Sequence, residues 1–343
     1  MSLIQIIFLI VAIIVLICLV IYLITGEICY RLCLKRRAIV EKIVNFEMDV
    51  IAAKLYNIDF DWWKNFEFKK VCVIGLNGTK LYPLFLKHNN SKKVAIIIHG
   101  YFARYEEMNK YAEMFMDFGY NLVVTQNLGH GQSEGKYVGM GWLDRFDLLN
   151  IINKVIEKFG DDCEIVIFGV SMGGATVCML SGEKLPINVT HLISDCGYTN
   201  VYEVFKTFVD RIIPIPLWLA IFIFNDYVKL RCGYTLKEAD CTKQLPKCKL
   251  PILFIHGKDD LLVPSYMMNE LYKATPKYLR HKKMFYETGH VESLPNNEAE
   301  YRETVLNFLK TTSNKIDKKS KMTSKTDKIG KATKKQIKKI KVN

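Results

Sequence analysis

The sequence predicts an α/β fold: an eight-stranded, mostly parallel sheet with helices on both faces and a helical cap insertion. Three observations predict it. Short β-branched and apolar runs alternate with longer helical patterns, which is how strands joined by helical crossovers read. A Gly-x-Ser-x-Gly pentapeptide, Gly169 to Gly173, stands between one such run and the helical pattern after it. From about Asn200 to Leu245 the alternation breaks once, in a stretch holding Trp218, Phe222, Phe224 and Tyr227.

Half of the 343 residues are hydrophobic, enough for a sizeable core, which excludes a disordered chain and a disulfide-stapled miniature. The expected strands are Phe68 to Ile74 and Lys80 to Lys87, flanking the hairpin signal Asn77-Gly78, then Val94 to Ile98, Asn121 to Gln126, Glu164 to Phe168, Val189 to Ser194, Ile252 to Ile255 and Lys283 to Tyr286. Helices are expected at Asn109 to Phe118, Trp142 to Phe159, Met172 to Gly182, Tyr266 to Ala274 and Asn297 to Thr311. The apolar run Ile212 to Phe224 reads as part of a cap at about 200–245, packed on the core or facing substrate.

The net charge of +13 is concentrated at one end. Thr311 to Asn343 holds twelve Lys against two Asp, so this tail carries most of the charge and the rest is nearly neutral. A Lys-rich tail over 312–343 with few apolar residues is expected to stay disordered, either simply solvated or adhering to anionic lipid headgroups; it has no aromatic interleaving or reading module, so nucleic acid is not the expected partner. The ten cysteines form no C-x-x-C pair and have no His at zinc spacing. They read as reduced thiols, with neither metal nor cofactor expected.

At the other end, Ser2 to Gly26 carries no charge and Leu3 to Ile24 is almost wholly Ile, Leu, Val and Phe. That length crosses a hydrocarbon core. Charge follows the apolar run instead of preceding it, and no small-residue cleavage pattern appears, so residues 1–26 read as a retained transmembrane anchor and not a signal peptide. Arg31, Lys35, Arg36 and Arg37 place the remainder in the cytoplasm by the positive-inside bias. The expected organisation is therefore a single-pass cell-membrane anchor over 1–26, a juxtamembrane helical linker over 27–67, the α/β domain over 68–311 and the tail.

The pentapeptide supplies the chemistry. A serine on a tight strand-to-helix turn exposes its hydroxyl, glycines around it leave room for that turn, and the helix N-terminus aims amides at the site. Ser171 is the expected nucleophile. It needs a base and a carboxylate to orient that base. His256-Gly257-Lys258-Asp259-Asp260 follows one strand and Gly289-His290 the last, so Asp260 is the expected acid, Asp259 the fallback and His290 the base. Of the seven histidines, His99, His130 and His256 also end strands before a glycine, and are read as loop-shaping turn residues. The oxyanion hole is expected from the amides of Met172 and Tyr101, with Gly100 letting the backbone turn inward.

Taken together these motifs resemble the α/β-hydrolase superfamily from about Phe68 to Leu309, in its lysophospholipase-like and serine aminopeptidase-like branch. His99-Gly100 resembles the family's oxyanion turn, Gly129 to Gly135 its G-H-G-x-S-x-G loop, Gly169 to Gly174 its G-x-S-M-G-G elbow and His256 to Pro264 its H-G-x-x-D-x-x-V-P acid loop, whose acidic place falls on Asp260. Gln126 and Leu128 stand where the family usually has Asp and Arg, removing an ion pair. Gly141 to Arg145 looks similar to a stretch of bacterial membrane-anchored members. The resemblance implies acyl transfer to water on esters, thioesters or amides. A small-molecule or lipid acyl ester is the first expectation, a peptidase-like amide hydrolase the second, and a non-catalytic binding protein on the same fold the rival of another class.

Overall fold

The computed structural model describes residues 2–36, 58–212 and 218–312. Residues 37–57 of the expected linker and 313–343 of the Lys-rich tail lie outside the described residues. Both of the first two expected strands are interrupted. Phe68 to Ile74 yields β1 (Lys69–Lys70) and β2 (Val73–Ile74), and Lys80 to Lys87 yields β3 (Lys80–Leu81) and β4 (Leu84–Leu86), split at Pro83, which has no N–H to give a ladder. β2 and β3 form a separate hairpin whose turn residues Asn77 (φ 57°) and Gly78 (φ 77°) are both left-handed, as the Asn-Gly signal requires.

The remaining strands are β5 (Lys93–Ile98), β6 (Asn121–Val124), β7 (Glu164–Val170), β8 (Val189–Asp195), β9 (Ile252–Gly257) and β10 (Arg280–Phe285). With β1 and β4 they make one eight-stranded sheet in the order β1-β4-β6-β5-β7-β8-β9-β10. Pairings from β6 across to β10 are parallel, and those of β4 and β1 antiparallel. Val94 to Ile98 are all buried, and since alternate side chains point to opposite faces, both faces of the sheet are covered. The last strand begins at Arg280 and not at the expected Lys283. Its leading residues Arg280, His281 and Lys282 sit on a half-exposed edge strand, where polarity hides the strand from an apolar reading.

The longer helices are α1 (Leu3–Cys33), α2 (Asn109–Asp117), α3 (Asp144–Phe159), α4 (Met172–Leu180), α5 (Val201–Ile212), α6 (Trp218–Cys232) and α7 (Tyr266–Ala274). A last helix covers residues 298–312, with Tyr301, Val305, Phe308 and Leu309 on one stripe; from Ala299 on, this helix belongs to a second unit. α5 and α6 occupy the expected cap. Their excursion is closed at its base by the Asn200 to Asp240 bridge and by Val201 N–H donating to the Ala239 carbonyl at 3.1 Å.

α1 opens with a capping box between Ser2 and Gln5 and does not end at Gly26, where the expected anchor stops, but runs on to Cys33. An 18-residue window within it has a mean hydropathy of 3.6 and none of it buried, so it is long and apolar enough to cross a membrane. Beyond Gly26 the chain is not a free linker. Gly26, Tyr30 and Leu34 are buried, the Val138 N–H donates to the Leu34 carbonyl at 2.8 Å, and Arg36 donates to the carbonyls of Gly131 and Ser133 at 2.5 and 2.7 Å. Trp63, within the same expected linker, is buried and donates to the Glu106 carbonyl at 2.9 Å.

Candidate active site

β7 ends at Val170 and α4 begins at Met172, so Ser171 is the whole turn between them. Its φ of 56° and ψ of −115° lie where a side-chain-bearing residue is strained, and the Ser171 N–H is held by the Asp195 carbonyl at 2.8 Å. The flanking glycines are sterically required. A Cβ on Gly169 would stand 2.2 Å from the Gly173 carbonyl oxygen, and one on Gly173 2.2 Å from that of Ile98.

The loops after β9 and β10 bring two more expected residues to the same edge. His290 Nε2 lies 2.9 Å from Ser171 Oγ, and His290 Nδ1 lies 2.7 Å from Asp260 Oδ2. Nδ1 therefore carries the proton, given to the carboxylate, and Nε2 turns its lone pair to the serine hydroxyl. Asp260 is buried, and its Oδ1 accepts from the backbone N–H groups of Leu262 and Val263 at 2.9 and 2.8 Å. Burial alone would raise its pKa, but hydrogen bonds from His256 and His290 outweigh it and hold the carboxyl at about 2. Asp259, the fallback acid, is exposed.

Met172 is the first residue of α4, and its amide belongs to the open N-terminal turn beside Ser171. Tyr101 follows Gly100, whose backbone passes so near the serine that an added Cβ would stand 3.5 Å from Ser171 Cβ. Two buried histidines shape this loop. His99 Nδ1 donates to the Gly100 carbonyl at 2.8 Å while its Nε2 accepts from the Asn127 N–H at 3.1 Å, and His130 Nε2 accepts from the Phe102 N–H at 3.0 Å. Burial lowers the His99 pKa to about 4 and pushes His130 well below its ordinary value, so both stay neutral and can accept. Where the family usually has an Asp, the Gln126 amide does local bracing: Nε2 donates to the Tyr82 carbonyl at 2.6 Å and Oε1 accepts from the Gln132 N–H at 2.9 Å.

A cavity of about 360 Å³ reaches Ser171 and His290, walled by Tyr101, Met108, Leu262 and Leu294, with Glu107 and Lys110 as its charged members. Two residues adjoin the acid: His256, marked in the sequence as a turn residue of the acid loop, and Cys196, which carries no sequence signal. His256 Nε2 sits 3.2 Å from Asp260 Oδ2, and the ligand-type atoms of Cys196, Asp260 and His290 lie within 4.8 Å of one another. That trio is a poor metal site: both His290 nitrogens are engaged by Ser171 and Asp260, and burial raises the Cys196 pKa far above its ordinary value, keeping the thiol protonated.

A family model described as serine aminopeptidase, S33, matches residues 89–213. The chain is 30% identical over 224 residues to YqkD, an uncharacterised protein of Bacillus subtilis strain 168, spanning 64% of this chain and 72% of that one. Among solved structures it is similar to the esterase Pf2001 of Pyrococcus furiosus, with a TM-score of 0.59 at 22% identity over 72% of this chain and 92% of that one. It is also similar to the acylaminoacyl peptidase of Pyrococcus horikoshii, with a TM-score of 0.54 at 18% identity over 73% of this chain and 43% of that one. At these identities the likeness to the two structures is one of fold.

Proposed function

The chain belongs to the α/β-hydrolase superfamily, and from that premise we propose that it is a membrane-anchored serine hydrolase, of the bacterial membrane-anchored type, that cleaves esters of a lipophilic acyl group through an acyl-enzyme. The observation that carries this reading is the continuous hydrogen-bond chain from Ser171 Oγ through His290 to Asp260 on a strained strand-to-helix turn. Ser171 Oγ attacks the ester carbonyl carbon as its proton passes to His290 Nε2, and the imidazolium so formed is stabilised by ionised Asp260. The Met172 and Tyr101 amides hold the oxyanion, each contributing about 3 kcal/mol in the transition state. His290 then protonates the departing alcohol, and water, activated by the same nitrogen, releases the acid and restores Ser171.

The mostly apolar cavity walls and the exposed apolar α1 favour a lipophilic acyl group, drawn from the membrane in which α1 serves as anchor with the α/β domain on the cytoplasmic side. Contact of the Lys-rich tail with anionic headgroups would reinforce that attachment. The second reading, an amide hydrolase, is favoured by the serine aminopeptidase description of the family model, since one acyl-enzyme cycle serves esters and amides.

The test is labelling of the full chain by a fluorophosphonate probe, followed by turnover of p-nitrophenyl esters of increasing chain length beside an aminoacyl-anilide. Labelling that Ser171→Ala abolishes, with rates rising along the ester series, is expected. An unlabelled native chain sinks the serine mechanism, and anilide turnover exceeding every ester transfers the assignment to the amide reading.

A further inference from the structure

The cap helix α6 crosses α1 and runs in the same sense. The Tyr227 ring lies 6.2 Å from that of Tyr22, and Tyr227 packs so closely on Gly26 that an added Cβ would stand 2.3 Å from its Cγ. The Tyr227 hydroxyl donates to Glu27 Oε2 at 2.8 Å. One turn further along both helices, the Arg231 guanidinium stands 4.8 Å from the Tyr30 ring centre and 3.8 Å from Glu27 Oε2. Because position rises together on the two helices, the N-terminal half of α6 lies on the side of the crossing toward which the bare apolar half of α1 extends.

Polarity changes at the same level on both. α1 is uncharged up to Gly26 and then carries Glu27 and Arg31; α6 reads Trp-Leu-Ala-Ile-Phe-Ile-Phe from Trp218 to Phe224, and only then carries Asp226, Lys229 and Arg231. Between Arg211 and Asp226 the sequence holds no charge. Ile221, Ile223 and Phe224 are buried, whereas Leu219 and Phe222 are each 51% exposed. If the first ~20 residues of α1 fill the hydrocarbon core, Gly26, Glu27 and Tyr227 stand at headgroup level. Leu219 and Phe222 precede Tyr227 by one to two turns, a distance of about 7–12 Å along the helix that reaches the acyl boundary if α6 points steeply inward.

We propose that the first half of α6, through Leu219 and Phe222, is a second membrane contact, a monotopic one, whose occupant is the lipid surface that holds α1; this rests on the reading of α1 as a membrane span. Shared polarity and the tight Gly26 to Tyr227 crossing argue for lipid over a protein partner, because any bilayer around α1 already lies beside this face. The contact bears on the site. The Phe224 ring packs 5.7 Å from Phe205 of α5, and Phe205 lies 6.5 Å from Tyr101, in the cavity wall beside Ser171. A lipid-borne ester meeting the cap is thus a short chain of rings from the nucleophile.

The test places a diazirine-bearing amino acid at Phe222, Leu219, Leu16 or Ile187 of the full chain in phosphatidylcholine vesicles and measures lipid adducts after illumination. All four side chains are exposed, so packing is spared, and two cap positions guard against failure of either. Ile187, 95% exposed just ahead of β8 and so at the opposite end of the strands from Ser171, reports the aqueous background. Adducts at either cap position about tenfold above Ile187, and of the order seen at Leu16, are expected for an interfacial helix. Adducts at Leu16 with both cap positions at background overturn this contact and leave the anchor standing; background at Leu16 as well overturns both.

Discussion

His256 stands beside Asp260: its Nε2 lies 3.2 Å from the carboxylate oxygen that also receives His290, and donates to the Val263 carbonyl at 2.8 Å. A second imidazole, its one Nε2 proton shared between that carbonyl and the carboxylate, thus helps keep the acid ionised in a buried setting. The folded Asp260 pKa, about 2, lies below the unfolded value of ~3.9, so ionised Asp260 contributes stability that is full above about pH 4 and lost as pH falls toward 2. We predict that His256→Phe, by deleting one donor, raises this pKa and moves the acid-unfolding midpoint toward neutral in a circular-dichroism titration. An unmoved midpoint would show that His256 contributes nothing to the carboxylate.

Asp260→Asn acts on orientation instead. The amide can offer its NH₂ to His290, which favours the wrong tautomer, so ester turnover should fall by about 10⁴ while the fold persists. His256→Phe, which leaves the tautomer alone, should cost about tenfold or less by the same reasoning. Equal losses in the two variants would contradict the division of roles.

From outside the site, His130 braces the loop proposed to hold the oxyanion. Phe102 has a φ of 50°, and its N–H finds its acceptor in neutral His130. Removing that acceptor deletes a hydrogen bond to a part-buried donor in a strained turn, a cost of about 1–3 kcal/mol. We predict that His130→Ala lowers kcat about tenfold with a smaller change in KM, in keeping with that cost appearing as a mis-set amide at Tyr101. A rise in KM at constant kcat would instead assign the loop to ground-state binding.

What could be read from the sequence followed from how local its cause was. Ser171 was legible because its turn forces glycine at neighbouring places, and the Asn77-Gly78 hairpin because left-handed backbone favours those residues. β10 starts three residues ahead of its apolar pattern because an edge strand need not be apolar, and the two strands expected before β5 hide four because the breaks at Val71-Cys72 and Tyr82-Pro83 fall inside the expected runs. The packing of Tyr30, Leu34 and Trp63 was missed altogether: the stretch they occupy looks like a linker, and its partners are distant in the chain.

Two acids away from the site set a separate pH response. Asp144 is buried, and both burial and the neighbouring Asp147 raise its pKa to about 7, while burial raises Asp147 to about 6. Below about pH 4 both states are protonated; as pH rises from there the unfolded chain ionises while the folded one keeps its protons, so stability falls until about pH 7 and then levels. We predict a lower melting temperature at pH 8 than at pH 5, and a smaller difference in Asp144→Asn, whose amide oxygen can still accept the Gly141 N–H now bound at 2.7 Å. A variant with the full native pH dependence would exclude Asp144 as its source.

The crossing of α1 and α6 offers a test by complementary substitution. Gly26→Leu puts a side chain into space held by Tyr227, whose Cγ would lie 2.3 Å from the new Cβ, so the ring must leave and its bond to Glu27 must break. Overpacking of this kind costs about 1–3 kcal/mol, and it should appear as a lower melting temperature of the full chain in detergent. Tyr227→Ala alone should also destabilise, by loss of packing and of the hydroxyl contact. In the double variant the introduced leucine side chain occupies the vacated space, so the two losses should not add, and a coupling energy of about 1 kcal/mol or more is expected. Additive effects would mean that the two helices do not meet here in solution, and that the level at which α6 approaches a membrane is not fixed by Gly26.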